Sequence, residues 1–252
     1  MVASSRQYSR EKQLRELPKP ALMGILNVTP DSFSDGGIFE DSEQAFARME
    51  ELAHAGARMI DIGAESTRPG SQPVSEEIEW QRLEPVLRRG TPEGCLLSVD
   101  SNKFPIQRKA IEVGADLIND ITGGSEALYE EAAANGVGLI LMHTSAAPQV
   151  MQEYTHYEDV VEQVYAFLAE RVRLAREAGV PFVWVDPGIG FGKTLDQNLA
   201  LMKATSRFAS LGSGVLIGAS RKSWIAKLCP EAKDASRERL GGSLAAALYC
   251  AK

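Results

Sequence analysis

Short apolar runs alternate with longer segments of helical periodicity along most of the chain. The longer segments place apolar residues on one helical face, as with Phe46, Met49 and Ala53. This alternation is typical of repeated strand–helix units that build a parallel sheet, and it predicts an α/β fold. The apolar runs predict seven strands, near residues 21–26, 57–62, 95–100, 115–119, 137–142, 182–186 and 214–219.

Residues with strong positional preferences predict where two of the helices lie. Asp41 with Gln44 resembles a capping box, so the first long helix is expected to begin near Asp41 and to stop at Gly56. A last helix is expected over residues 236–250. An eight-stranded barrel would need one more strand after it, and the chain stops at Lys252. Either the sheet is open, or the final strand and helix are missing from this sequence.

Polar side chains lie at or just beyond the predicted strand ends. Because the carboxyl ends of the strands of a parallel α/β barrel converge on its mouth, these side chains are expected to face one opening. Any one of them alone is equally well explained as a cap or a turn residue. The residues are Asn27, Asp61, Asp100, Asn119, His143, Asp186 and Ser220.

Composition fits one large globular domain, because 44% of the 252 residues are hydrophobic and 24% are charged. Two small domains are the alternative, but no linker or low-complexity tract divides the chain. We expect a flexible polar leader over residues 1–20 and a single domain over residues 21–252. The formal net charge of −7 argues against a general binder of nucleic acid or anionic membranes.

Three cysteines, Cys95, Cys229 and Cys250, lie far apart and form no Cys-x-x-Cys pair. This usage favours a reduced, cytoplasmic protein. No apolar run approaches the roughly 20 residues of a membrane-spanning helix. No glycine-rich dinucleotide fingerprint or Walker loop appears either, which weakens a nucleotide-binding interpretation.

Three loops after predicted strands carry candidate chemistry. In "DPGIGFGK", residues 186–193, the glycines let the backbone approach a flat ligand that Phe191 could cover. "ESTRPG", residues 65–70, and "GASRKS", residues 218–223, place hydroxyl and basic side chains where an anion could bind, the second at a predicted helix start. A glycine turn and solvated charges are the simpler explanations of each loop taken alone.

Two further features concern the ligand. Asp100 and Asp186 suit a ligand edge rich in N–H donors, because a carboxylate accepts two parallel hydrogen bonds. A metal pair is the rival interpretation, although the chain has only three histidines and no recognised ligand spacing. The stretch "NVTPDSFSDGG", residues 27–37, is a long polar connection between a strand and a helix, which suggests a binding loop or lid rather than a simple surface excursion.

These stretches, in this order and spacing, resemble the dihydropteroate synthase family. The matching motifs are "MGILNVTPDSFSDGG", "DIGAESTRPG", "SVDS", "INDI", "DPGIGFGK" and "GASRKS". The resemblance runs from about Pro20 to Lys252. It implies a TIM (β/α)8-type barrel, here without its eighth strand and helix. It also implies a transferase of folate biosynthesis, the sulfonamide target, that joins 6-hydroxymethyl-7,8-dihydropterin diphosphate to p-aminobenzoate and releases pyrophosphate.

The resemblance also assigns site residues, and Mg²⁺ as cofactor. The pterin slot would be lined by Asp100, Asn119, Asp186, Lys222, Met142 and Gly218. The p-aminobenzoate site would comprise Thr67, Arg68, Pro69, Phe191, Ser220 and Lys222. Asn27 and Arg68 would bind the diphosphate, with Mg²⁺ at Asn27. A mobile lid would comprise Thr29, Pro30, Asp31, Ser32, Phe33, Ser34, Asp35, Gly36 and Gly37. The implied reaction is a dissociative substitution with Asp100, Lys222 and Arg68 as catalytic residues.

One departure from the family pattern leaves alternatives open. The family carries an Arg-x-His pair on its last strand, and nothing follows Lys252 here, so activity is expected to be reduced or absent. A related pterin-binding methyltransferase and a paralogue that binds pterin without turnover are the other interpretations. Family members also form dimers through late helices. An apolar face there could serve a homodimer or pack on the barrel, and it comprises Leu240, Leu244, Ala245 and Leu248.

Overall fold

The computed structural model describes residues 10–29, 38–67, 70–232 and 236–252. Its described part contains one seven-stranded parallel sheet whose strands pair in chain order. The strands are β1 (Leu22–Asn27), β2 (Ala57–Gly63), β3 (Leu96–Asp100), β4 (Leu117–Asp120), β5 (Gly138–Met142), β6 (Val183–Asp186) and β7 (Gly214–Val215). The seven predicted strands are confirmed, although β7 is shorter than expected.

Helices cover the outer face of the sheet. They are α1 (Ile38–His54), α2 (Glu76–Arg89), α3 (Phe104–Val113), α4 (Glu126–Asn135), α5 (Val160–Glu177), α6 (Leu195–Lys203), α7 (Thr205–Phe208), α8 (Ser223–Leu228) and α9 (Leu240–Cys250). Short 3-10 helices lie at Met151–Glu153, Pro230–Ala232 and Ser236–Arg239. Among the described residues no helix is long and apolar enough to cross a membrane.

Alternate positions along the strands divide the apolar residues into two layers. On β2, Ile60 and Ile62 pack outward against the helices, whereas Met59 points into the barrel. The inner cluster also includes Met23 from β1 and Leu216 just after β7. Because the two outermost strands contribute to one inner cluster, the sheet is curled, as a TIM-type barrel requires. The predicted fold class is confirmed.

Two boundaries differ from the sequence prediction. Helix α1 begins at Ile38, so the cap expected at Asp41 is wrong. Asp and Gln three residues apart resemble a capping box in the sequence even where the helix begins before them. The stop at Gly56 is confirmed, because the helix ends at His54 and Gly56 has a φ of 101°.

Residues 10–15 are helical and pack beneath the barrel, which differs from the flexible leader expected over residues 1–20. Leu14 joins the inner apolar cluster. Arg10 is buried and donates to Asp116 Oδ1 at 2.9 Å and to the Gly136 carbonyl at 2.8 Å. These contacts cover the amino-terminal end of the barrel, so a ligand would enter from the opposite end.

Candidate active site

The inner face of the sheet changes from apolar to polar toward the carboxyl ends of the strands. Register pairs Asp61 with Ser98, and one layer higher it pairs Asp100 with Asn119. Asp186 ends β6 and pairs with Met142 on β5. The period of two along each strand therefore brings residues from distant parts of the chain into one polar mouth.

Asp61 lies at the bottom of this mouth and is almost completely buried. Its Oδ1 accepts from Ser98 Oγ at 2.6 Å, and its Oδ2 accepts from Asn119 Nδ2 at 3.0 Å. Burial raises the pKa of Asp61, whereas these two hydrogen bonds lower it. The carboxylate is thus held by two neutral donors.

Asp100 ends β3 above Asp61 and is partly exposed to the mouth. Burial is the main cause that raises its pKa well above the usual value, and the nearby Asp61 and Asp120 raise it further. Gly63 on β2 lies beside it, because a Cβ added there would be 3.5 Å from Asp100 Oδ2. A cation that enters the mouth would therefore favour the ionised form of Asp100.

Asp186 and Lys222 lie at the β6 and β7 side of the mouth. Asp186 Oδ1 accepts from the Gly188 N–H at 2.7 Å. A Cβ added to Gly218 would lie 3.6 Å from Asp186 Oδ2 and 3.5 Å from Lys222 Nζ, so all three groups are neighbours. Burial lowers the pKa of Lys222 to about 8, against the opposing effect of Asp186. Glycine at 218 leaves space beside a carboxylate and an amine.

The loop over residues 186–193 closes one wall of this space. The Lys222 ammonium lies 4.5 Å from the centre of the Phe191 ring. Lys193 is buried beneath the loop and donates to the Phe191 carbonyl at 2.8 Å and to the His143 carbonyl at 3.3 Å. Burial lowers the pKa of Lys193 to about 7. The loop is therefore fixed to β5 by an amine that sequence reasoning did not assign.

His143 follows β5 but does not project as a free acid or base. Its Nδ1 lies 3.2 Å from Lys193 Nζ, and its ring packs edge-on against Phe167 with centres 5.0 Å apart. Burial and the adjacent Lys193 lower its pKa to about 3, so the ring is neutral near pH 7. The Nδ1 of the neutral ring can accept a hydrogen bond from the Lys193 ammonium.

The segment that contains Ser220 differs from its prediction as a helix start. Helix α8 begins at Ser223 with Lys222 at its N-cap, and Ser220 lies in the exposed turn before it. Arg221 takes a left-handed φ of 55°, and its N–H donates to Ser243 Oγ at 2.8 Å. This turn lifts Ser220 away from the helix terminus while Lys222 points toward Asp186.

The remaining predicted residues lie at the rim or outside the described residues. Asn27 ends β1 beside Gly63 and is exposed, and Thr67 lies partly exposed on the loop after β2. Arg68, Pro69 and residues 30–37 of the predicted lid lie outside the described residues. Thr29 is the one residue of that lid that the structure describes. Among the described residues, no group of three His, Cys, Asp or Glu side chains could hold a metal ion.

The base of the loop that carries Thr67 is tied down by Lys103. Lys103 Nζ donates to Glu79 Oε2 at 2.6 Å and to the Val74 carbonyl at 2.8 Å, and it also pairs with Glu65. Glu65 Oε2 in turn accepts from the Val74 N–H at 2.9 Å. The two ends of the loop are therefore joined by one partly buried ion-pair cluster.

Comparison with known proteins shows that this chain is similar to a known family over most of its length. The model of a family described as pterin binding enzyme matches residues 23–252. The dihydropteroate synthase of Haemophilus influenzae is 41% identical over 246 residues, which is 96% of this chain and 88% of that protein.

Two solved structures of dihydropteroate synthases are similar in fold and sequence. The Xanthomonas albilineans enzyme with 4-aminobenzoic acid has a TM-score of 0.82 at 39% identity, covering 94% of this chain and 84% of that one. The Yersinia pestis enzyme in a sulfonamide drug complex has a TM-score of 0.82 at 38% identity, covering 92% and 85%.

The curled parallel sheet with a polar mouth defines a barrel enzyme of the pterin-binding class. Within that class the chain belongs to the dihydropteroate synthase family, and the transferase activity in folate biosynthesis that the sequence predicts is confirmed. The pterin-binding methyltransferase interpretation is not supported, because the relatives named here carry the synthase name over most of their length.

Proposed function

We propose that the polar mouth is the site where dihydropterin diphosphate and p-aminobenzoate are joined. The observation that carries this proposal is the grouping of Asp186, Lys222 and Gly218, with Asn119 buried across the barrel. A pterin ring presents N–H donors and a carbonyl on one edge. A carboxylate suits the donors and an ammonium suits the carbonyl.

The pterin slot would be bounded by the side chains facing this group. Asp186 accepts from the amino and ring N–H groups of the pterin with its two carboxylate oxygens, and its Oδ1 keeps the hydrogen bond from the Gly188 N–H. Lys222 donates to the carbonyl and a ring nitrogen. Met142, which pairs with Asp186 in register, supplies an apolar wall, and Gly218 leaves room for the ring.

The p-aminobenzoate site would lie toward the rim, between the loops. Phe191 packs over Lys222 and offers an aromatic face for the benzoate ring. Thr67 lies on the loop after β2 that Lys103 holds in place. Ser220 lies in an exposed turn, where its hydroxyl can donate to the carboxylate of p-aminobenzoate. Arg68 and Pro69 belong to the same proposal by family resemblance.

The diphosphate and Mg²⁺ would be held at the end of β1. Asn27 is exposed there and offers an amide oxygen, which fits Mg²⁺ because this ion commonly takes one or two protein oxygens together with substrate phosphates and water. When bound, Mg²⁺ would neutralise charge on the departing diphosphate. Arg68 is proposed to contribute positive charge, and residues 29–37 are proposed to close over the group.

Catalysis would depend on the charges of the protein rather than on a covalent intermediate. Loss of diphosphate leaves positive charge on the pterin methylene and ring, and the carboxylate of Asp100 stabilises that charge. The neutral amino group of p-aminobenzoate then forms the C–N bond and releases its proton. Asp61 and Asp120, which raise the pKa of Asp100, add to the negative potential that favours the cation.

Two wider assignments belong to the proposal. Three free cysteines in the chain support a cytoplasmic location. Leu240, Leu244 and Leu248 are exposed on α9, and Ala245 lies on the same face, so this face does not pack on the barrel in the described structure. Its exposure supports a homodimer through α9.

The direct test is a mass-spectrometric assay for dihydropteroate with this chain, dihydropterin diphosphate, p-aminobenzoate and Mg²⁺. We expect a low but measurable rate of product formation from the unchanged chain, in line with the reduced activity expected from the sequence. Asp186→Ala or Lys222→Ala should lower kcat/KM at least about 100-fold, since a hydrogen bond to a charged group contributes about 1.5–3 kcal/mol and each side chain is proposed to make two such bonds to the pterin. Arg173→Ala, which removes an exposed ion-pair residue on α5, is the control and should retain activity. A folded chain that binds pterin but makes no product would indicate the binding-only paralogue.

A further inference from the structure

Asp61 is a buried acid that the mechanism above uses only through its charge. It is 6% exposed, and its hydrogen bonds come from Ser98 and Asn119, neither of which carries a positive charge. Burying a carboxylate without a cation is costly, and the neighbouring inner position on the same strand is the apolar Met59. A purely structural role could therefore be filled by an apolar side chain.

The geometry points to Asp61 as the positioning residue that fixes the orientation of the Asn119 amide in the substrate slot. A side-chain amide can present its oxygen or its nitrogen to a ligand after rotation by a half turn. An ionised carboxylate only accepts hydrogen bonds, so Asp61 Oδ2, 3.0 Å from Asn119 Nδ2, requires the nitrogen to face it. The orientation of Asn119 is thereby fixed before any ligand binds.

A fixed amide determines which heterocycle edge can bind. With one Nδ2 hydrogen committed to Asp61, the remaining hydrogen and Oδ1 keep one order of donor and acceptor. A ligand with the opposite order would leave buried polar groups unpaired, which disfavours it strongly. Asp61 thus determines specificity through Asn119, without touching the ligand. This inference rests on the proposed placement of Asn119 in the pterin slot.

Ser98 explains why the Asp61 carboxylate is itself fixed. The Ser98 hydroxyl is fully buried and donates a hydrogen bond to Asp61 Oδ1, the oxygen that Asn119 does not contact, at 2.6 Å. A carboxylate held at both oxygens cannot rotate to release Asn119. The order of influence runs from Ser98 to Asp61 to Asn119. The first step joins the neighbouring strands β3 and β2, and the second passes across the inside of the barrel from β2 to β4, over β3.

The test is a double-mutant cycle on Asp61 and Asn119, with dihydropterin diphosphate and p-aminobenzoate as substrates. We expect Asp61→Leu to raise KM for the pterin about tenfold, the effect of roughly 1.4 kcal/mol, with KM for p-aminobenzoate unchanged. In the Asn119→Ala background the same substitution should have no further effect on the pterin KM. Asp61→Asn, which retains a carbonyl oxygen but can also present its NH2 group to Asn119, should give a pterin KM between those of the unchanged chain and Asp61→Leu.

A matched control separates positioning from general damage. Ser98→Ala removes a donor to the same buried carboxylate but keeps the bond between Asp61 and Asn119, so its pterin KM should rise less than that of Asp61→Leu, even where the two variants are equally destabilised. Thermal unfolding checks that each variant is folded. Should Asp61→Leu not fold, Asp61→Ala, which leaves room for water, is measured in the same cycle. Should that variant also not fold, Asp61→Asn replaces it in the cycle. A rise in pterin KM that disappears in the Asn119→Ala background supports positioning, and an unchanged KM or an equal rise in both backgrounds overturns it.

The outcomes distinguish this inference from the assignments it depends on. Equal losses from Asp61→Leu with and without Asn119 would overturn the positioning role. An Asn119→Ala variant with unchanged pterin KM would overturn the placement of Asn119 and the inference together. Neither result would affect the synthase assignment, which is tested separately by product formation in the unchanged chain.

Discussion

The charge of Lys222 makes catalysis depend on pH. Burial lowers the pKa of this amine to about 8, so Lys222 is charged below pH 8 and neutral above it. We expect kcat/KM to fall as pH rises from about 7 to 9, because the neutral amine no longer favours the pterin carbonyl. Steady-state rates across this range would measure the effect.

Lys222→Arg is the control for this pH profile. Arginine stays charged to pH 12 and beyond, so the fall near pH 8 should disappear even if the rate itself is lower. Lys193, whose pKa burial lowers to about 7, would give a separate change nearer pH 7 that the variant retains. A fall near pH 8 that persists in Lys222→Arg would show that another group is responsible.

Gly218 tests the shape of the slot independently of charge. A methyl group at this position would lie 3.5 Å from Lys222 Nζ and 3.6 Å from Asp186 Oδ2, which are ordinary contacts in the free protein. Gly218→Ala should therefore leave the thermal midpoint nearly unchanged while pterin affinity, measured by calorimetry, falls at least about tenfold from steric overlap with the ring. Gly241→Ala on α9, where an added Cβ meets nothing within 4 Å, should change neither pterin affinity nor activity. Normal binding by Gly218→Ala would place the ring elsewhere.

Site residues differed in how readily the sequence revealed them. Asp100, Asp186 and Lys222 stood in motifs at strand ends, so their grouping followed from parallel topology. Asp61 was grouped with the polar residues at the strand ends, but its link to Asn119 was not predicted, because it depends on a register between strands that composition does not determine. Lys193 was missed because a lysine in a glycine loop usually remains in solvent.

At the element scale, strands were predicted better than their neighbouring loops. An apolar run bounded by polar residues marks a strand because a strand of a parallel barrel is buried on both faces, so its alternate side chains fill the inner and the outer layer. β7 was predicted over residues 214–219 but is assigned only over Gly214–Val215. In the described structure it pairs with β6, and just beyond its assigned end the Leu216 N–H still donates to the Val185 carbonyl at 2.9 Å.

The ion-pair cluster of Lys103 with Glu65 and Glu79, termed the clamp, is an element-scale feature expected to affect both the stability of the fold and the loop that carries Thr67. Removing the amine would leave Glu79, which is 1% exposed, without its cation. Lys103→Met should lower the free energy of unfolding by about 2–4 kcal/mol, because an uncompensated buried charge is costly. It should also raise KM for p-aminobenzoate more than KM for the pterin, since the loop that carries Thr67 is released. Urea denaturation and steady-state kinetics would measure the two effects.

Arg108→Ala provides the control for this clamp. Arg108 lies on α3, the helix that begins directly after Lys103, and both partners of its ion pair with Glu112 are exposed. Such a pair contributes little, so unfolding should change by less than about 0.5 kcal/mol. Equal destabilisation by the two variants would show that the buried cluster has no special role. A destabilised Lys103→Met with unchanged KM for p-aminobenzoate would separate the clamp from the site.

For the whole molecule, the sequence predicted the curled parallel barrel because each local signal agreed with it. Strand runs, helical faces and polar strand ends all indicated one topology. The packing of residues 10–17 beneath the barrel was not predicted, because a segment rich in Arg, Lys and Glu resembles a solvated leader. Its attachment depends on a few specific contacts, such as Arg10 with Asp116, that only the folded barrel brings together.

The apolar face of α9 is the whole-molecule feature that bears on assembly. Leu240, Leu244 and Leu248 are spaced by one helical turn and are 51%, 54% and 68% exposed. A two-fold dimer through this face would bury each leucine in both copies of the chain. A single charged substitution would therefore place two charges in the interface. We therefore expect the unchanged chain to sediment as a dimer and Leu248→Glu to weaken dimerisation at least about 100-fold, since burying a leucine contributes about 1.5–3 kcal/mol per copy.

The control for assembly introduces the same charge on a different exposed apolar residue. Ile78 on α2 is 43% exposed, and Ile78→Glu should leave the sedimentation coefficient unchanged. Because the face on α9 is remote in sequence from Asp100 and Asp186, a monomeric Leu248→Glu that keeps its kcat would show that each barrel works alone. Loss of kcat on dissociation would mean that the interface supports the β7 side of the mouth, where α9 holds Arg221 through Ser243. A monomeric unchanged chain would contradict the dimer and leave the leucine face to another partner.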